Sequence, residues 1–115
     1  MRKSLSKEKR IKRRKDIEHV FTRGSRVKSG GMKIFYVGNG LDRNRILVTT
    51  VKQVKKAVRR NRQRRLAREA FRVNQQSLIQ GYDIAIVLFP GDYTYTERES
   101  QLLFLLRKAG LIEDS

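Results

Sequence analysis

Cysteine and tryptophan are absent from this 115-residue sequence, and histidine and proline occur once each. Without cysteine there is no disulfide, no thiol nucleophile and no thiolate metal site. The single histidine, His19, leaves too little nitrogen for a zinc centre. Flanked by Glu18 and Val20, it reads as a surface or half-buried helix residue. No run approaches the ~20 apolar residues that a membrane span requires, and the basic N-terminus lacks a signal-peptide apolar segment. The expectation is a cytoplasmic protein with no membrane partner. Acids are scarce too, at 11 Asp+Glu. Asp16 and Glu18 stand two apart and point away from each other on a helix, while Glu97 and Glu99 have the spacing of caps. Gly30-Gly31 and Gly38-Asn39-Gly40 read as hairpin turns rather than phosphate cradles, and no Walker or zinc spacing occurs. Catalysis by this chain alone is not expected.

What the sequence does have is positive charge. Lys and Arg number 28, for a formal net charge of +17. Two short segments, residues 1–15 and 52–72, hold 9 and 10 of them, whereas residues 73–115 hold three basic residues against six acids. Solubility alone does not call for such asymmetry. Self-repulsion of this size opposes the compact state unless a polyanion relieves it, which points to nucleic acid as the partner.

The length fits one domain. Residues 1–13 form a basic, flexible arm and residues 14–112 a single RNA-binding domain. Ile17, Val20 and Phe21 have helical spacing over Arg14–Arg23, with Gly24 as the stop. A short edge strand at Ser25–Ser29 turns at Gly30-Gly31 into a strand over Met32–Val37. There Ile34 and Tyr36 share one side, Phe35 and Val37 the other. Residues 38–44 read as a hairpin loop leading to a strand over Arg45–Val51, and residues 57–75 as a helix. The nearly unbroken apolar run Tyr82–Phe89 predicts a buried central strand. Thr94 and Thr96, each three residues before a glutamate, introduce a last helix that Gly110 stops. The order α-β-β-β-α-β-α gives a two-layer α+β or α/β fold.

Winding the second helix at 100° per residue puts Val58, Val73, Leu66, Ala70, Ala67 and Phe71 on an apolar arc. Arg64, Arg68, Asn61, Arg72 and Arg65 lie opposite it. The pairs Arg60–Arg64, Arg64–Arg68 and Arg68–Arg72 are like charges at i,i+4, each opposing the helix by a few tenths of a kcal/mol. Lys55, Lys56, Arg59 and Arg60 crowd the positive end of its dipole. Stability alone selects against this pattern, whereas phosphate binding explains it, since guanidinium forks match phosphate oxygens.

Residues 54–68, Val-Lys-Lys-Ala-Val-Arg-Arg-Asn-Arg-Gln-Arg-Arg-Leu-Ala-Arg, resemble the Arg-Asn-Arg signature of the bacterial ribonuclease P protein component. The opening helix with Val20-Phe21 and Gly24, the Phe35-Tyr36 strand, the Lys52 region, Gly81-Tyr82-Asp83 and the Leu-rich last helix follow in family order. Lys55, Gln63 and Ile17 depart from the family's usual glycine, small aliphatic and aromatic residues. The resemblance implies an accessory subunit, one protein per RNA, of the ribonucleoprotein that removes the 5′ leader from precursor tRNA. The active site and its magnesium ions would then belong to the RNA. It also implies a mixed four-stranded sheet with a left-handed βαβ crossover. Lys56, Arg59, Arg60, Asn61, Arg62, Arg64, Arg65 and Arg68 would contact the catalytic RNA. Ile17, Phe21, Tyr36 and Lys52 would line a cleft for the single-stranded leader. The alternative is a structural RNA-binding protein of the ribosomal type. A DNA-binding module is a third reading, but strands rather than a helix-turn-helix partner precede the basic helix.

Overall fold

Every second side chain of a strand faces the same way, and here that alternation sorts one sheet into two cores. The computed structural model describes residues 9–53 and 55–112. Its elements are α1 (Arg14–Arg23), β1 (Ser25–Lys28), β2 (Met32–Gly38), β3 (Arg45–Thr50), α2 (Ala57–Asn74), β4 (Tyr82–Leu88) and α3 (Tyr95–Lys108), with a 3₁₀ turn at Gln75–Ser77 after α2. The predicted order is the observed one. Strand order in the sheet is β1-β2-β4-β3, with β3 and β4 parallel and the other pairs antiparallel.

The loop over residues 39–44 is therefore not a hairpin connection, because β4 lies between β2 and β3. An almost wholly apolar strand needs neighbours on both edges and cover on both faces, and β4 takes the central place for that reason. On one face Ile34, Ile46, Val48, Ile84, Ile86 and Leu88 pack against Ala67, Ala70 and Phe71 of α2 and Leu102, Leu105 and Leu106 of α3. Each of the larger side chains among them, Ile, Val, Leu or Phe, contributes about 1.5–3 kcal/mol on burial. On the other face Phe35 and Ala85 meet Val20 of α1 and Ile11, with Ile17, Phe21, Val37, Leu47 and Val87 half-buried around them. Thus α1 adds a partial layer opposite α2 and α3.

The ordered body begins before residue 14. Ile11 is buried and donates its N–H to the Ile46 carbonyl at 2.9 Å, and Arg10 bridges to Ile46. This segment lies along the outer side of β3 and covers an edge that would otherwise be open. The part of the expected arm over residues 1–8 lies outside the described residues, as does Val54. Gly24 ends α1 with extended backbone, φ −72° and ψ 149°. Glycine is needed there for space, since a Cβ would stand 2.3 Å from the Val20 carbonyl oxygen.

Candidate nucleic-acid interfaces

Helix α2 touches the body along a stripe narrower than its apolar arc. Gln63, Ala67, Ala70 and Phe71 are buried, but Val58 is 79% exposed and Val73 is exposed as well. The arc overestimates the contact because the first six residues of α2 meet little of the sheet, and the buried stripe starts at Gln63. Arg59, Asn61, Arg62 and Arg65 are exposed, while Arg60, Arg64 and Arg68 are half-buried. Val58 and Leu66 form with Asn61, Arg62 and Arg65 a shallow depression on the outer side. Lys55, Lys56, Arg59, Arg62 and Asp92 line a cleft of about 250 Å³ at the helix start. No described non-glycine residue has positive φ, so Lys55 stands in for the family's usual glycine without backbone strain.

Within α2 the cations lean on what is at hand. Arg60 Nη1 donates to the Lys55 carbonyl at 2.7 Å, Arg64 Nη2 to Asn61 Oδ1, and Arg72 Nε to Glu69 Oε2 at 3.0 Å. Burial pushes the Arg68 guanidinium pKa down, and the neighbouring charges of Arg10 and Arg64 push it further. The N-terminal segment thus brings a second source of positive charge to the Arg68 side of the helix. Lys52 joins this surface too: it shares a depression with Thr49, Thr50, Arg60 and Arg64.

The other candidate surface is the α1 face of the sheet. The structure brings Ile17 and Phe21 together with Phe35, whose ring meets the edge of Phe21 at 4.9 Å between centroids. It does not bring Tyr36 there. Tyr36 packs on the α2–α3 side, against the main core and 6.4 Å from the Tyr82 ring. The correction is one of strand parity. Tyr36 shares the side of Ile34, and the aromatic residue that faces α1 is Phe35. Arg26, Lys28 and Lys33, none of them among the expected site residues, lie on the same side as Phe35 by register. The Lys33 ammonium sits 4.9 Å from the Phe35 centroid and that of Lys28 5.1 Å from the Phe89 centroid. Alternation along β2 carried the signal for Phe35.

Helix α1 is tied to the far end of this face through Arg45. Its guanidinium forks onto buried Asp83 at 2.8 and 2.7 Å and reaches Asp16 of α1 at 3.4 Å. The Asp83 hydrogen bonds, aided by both carboxylate charges, raise the Arg45 pKa. Asn39 Nδ2 adds a bond to Asp83 Oδ1 at 2.9 Å. Elsewhere Glu97 caps α3, and Glu99 accepts from Asn74 and Tyr95. Among the described residues no three of His, Asp and Glu stand close enough together to hold a metal ion. No described helix is long and apolar enough to cross a membrane.

Comparison with known proteins places this arrangement. The Ribonuclease P family model matches residues 5–110. The ribonuclease P protein component of Clostridium botulinum (strain Loch Maree / Type A3) is 35% identical over 108 residues, covering 91% of this chain and 97% of the relative. That of Caldanaerobacter subterraneus subsp. tengcongensis is 34% identical, covering 99% and 97%. In three dimensions the Thermotoga maritima RNase P protein superposes with a TM-score of 0.78 at 26% identity, covering 91% of this chain and 98% of that one. The Staphylococcus aureus RNase P protein shares the fold with a TM-score of 0.82 at 24% identity, covering 91% and 98%. With a family model spanning nearly the whole sequence and relatives aligned end to end, the chain belongs to the ribonuclease P protein component family.

Proposed function

We propose that the two surfaces hold two RNAs. The outward side of α2, with Lys56, Arg59, Arg60, Asn61, Arg62, Arg64, Arg65 and Arg68, binds the catalytic RNA. The α1 face of the sheet, with Ile17, Phe21 and Phe35, takes the single-stranded 5′ leader of precursor tRNA. Lys52, which the resemblance assigns to the leader cleft, lies beside Arg60 and Arg64 and joins the catalytic-RNA surface instead. The observation that carries this reading is the placement of an arginine-lined helix and a half-open aromatic face on different sides of a chain of this family. Phosphate neutralisation and base stacking are the forces available to each.

Cleavage itself is assigned to the RNA. Among the described carboxylates Asp16, Glu69 and Asp83 hold arginines, Glu97 caps α3 and Glu99 accepts from Asn74 and Tyr95, and magnesium ions have their natural ligands in RNA phosphates. The protein lowers the magnesium requirement by screening phosphates where two RNAs converge. One protein serves one catalytic RNA in the cytoplasm.

Reconstitution with catalytic RNA tests the division of labour. Arg64→Ala and Arg68→Ala are expected to weaken binding of the catalytic RNA and to flatten its salt dependence by about 0.7–0.9 per lost phosphate contact. Phe21→Ala is expected to spare that binding and to weaken precursor tRNA relative to mature tRNA. Equal loss of both functions in all three variants would refute the two-surface arrangement.

A further inference from the structure

The α1 face carries more binding surface than the Phe21–Phe35 pair. Strand alternation puts Asp83, Ala85, Val87 and then Phe89 on that side, and the Phe89 N–H continues the ladder by donating to the Gly31 carbonyl at 3.1 Å. Four residues along β4 separate Phe89 from the level of Phe35, a distance of about 13 Å at 3.3 Å per residue. Helix α1 packs on β2 and β4, yet Phe89 stays only partly buried. Its backbone is clamped: the carbonyl accepts from Arg98 Nη2 at 3.2 Å, and Arg98 is buried. The result is a partly open ring on a fixed main chain.

Charge says what such a ring can receive. Arg26, Lys28 and Lys33 lie on this side, and neither β1 nor β2 contains an acid. Both phenyl rings have a lysine ammonium over them, at 5.1 Å for Lys28–Phe89 and 4.9 Å for Lys33–Phe35. A flexible lysine over an aromatic ring gains little when exposed to water. A nucleobase stacking on the ring displaces it, and the freed ammonium then meets the adjoining phosphate. Phenyl and lysine together match one nucleotide.

We propose that Phe89 with Lys28 forms a second stacking platform for the same single-stranded leader, several nucleotides from the Phe21–Phe35 subsite. This rests on the leader reading above. The test uses holoenzyme reconstituted with catalytic RNA and precursor tRNAs whose leaders lengthen one nucleotide at a time, with dissociation constants measured at fixed ionic strength. The wild-type protein is expected to gain affinity in two steps. Phe89→Leu, which keeps apolar packing, is expected to lose the second step, about tenfold, while binding short-leader precursors as the wild type does. Phe89→Tyr keeps the second step, and Lys28→Gln reduces it. If Phe89→Leu gains as much from long leaders as the wild type while Phe21→Ala loses the first step, the platform is refuted and the leader reading stands. If leader length changes nothing even in the wild type, the leader reading itself is refuted.

Discussion

Among the described residues no carboxylate pairs with Arg98, although it is 1% exposed. Its guanidinium is held by neutral oxygens: Gln63 Oε1 at 2.6 Å, the Gly31 carbonyl at 2.7 Å, Gln101 Oε1 at 2.9 Å and the Phe89 carbonyl at 3.2 Å. The Tyr93 ring lies 4.4 Å from it. Burial lowers its pKa to about 10. A base whose pKa folding depresses is disfavoured in its charged form, by roughly 3 kcal/mol at 1.36 per unit. That opposition persists at neutral pH and is relieved only as pH rises above about 10. The hydrogen bonds must offset it, and Gln63 supplies one while donating to the Tyr93 carbonyl at 3.0 Å. Arg98→Met strands four acceptors, those of Gln63 and Gly31 buried, and is expected to lower the urea unfolding free energy by about 2–4 kcal/mol. Gln63→Leu is expected to cost less, and the double variant about 1–2 kcal/mol less than the two added together. Strict additivity would show that the residues act separately. Helix winding places Gln63 among apolar neighbours, but no sequence pattern announces that a distant arginine completes it.

Individual helices show the same contrast between local and distant information. The α3 cap was legible from Thr94 and Glu97, and both halves of the box form: Glu97 N–H donates to Thr94 Oγ1 at 3.2 Å, and Thr94 N–H to Glu97 Oε1 at 3.0 Å. Thr94→Ala is expected to cost about 1 kcal/mol. The bonds from Thr94 hold the Glu97 carboxyl below the usual carboxylate range. Its stabilisation is therefore present above the unfolded pKa and lost as pH falls through the folded one. Unfolding curves of wild type and Glu97→Gln should differ at pH 7 and converge at strongly acid pH. Helix α2 behaves in the opposite sense. Arg64→Gln removes like charges at i±4 from Arg60 and Arg68 and is expected to raise stability by about 0.5 kcal/mol. The same change should weaken binding of the catalytic RNA. A variant that gained neither stability nor lost affinity would show that the arginine face is a solvated surface. Strand extents were legible from alternation, but the neighbours of β3 were not: β4 begins 32 residues after β3 ends and displaces the expected hairpin.

Long-range repulsion is a property of the chain as one body. With 28 basic residues and 11 acids, most cations have no acid to pair with. The Cα radius of gyration is 13.2 Å, and the screening length is about 30 Å at 0.01 M salt and about 10 Å at 0.1 M. In dilute salt every charge therefore feels every other, whereas at 0.1 M only neighbours on α2 and the N-terminal segment do. Thermal unfolding should accordingly move to higher temperature between 0.01 and 0.1 M sodium chloride, with a smaller rise beyond. A single-stranded RNA at fixed ionic strength should raise the midpoint further, because phosphates arrayed on one strand neutralise α2 more densely than dilute chloride does. Removing Arg64 and Arg68 together should shrink both rises. A midpoint that falls with added salt would mean that the ion pairs, chiefly Arg45 with Asp83 and Asp16, outweigh the repulsion, and the charge would then need an explanation other than a polyanionic partner.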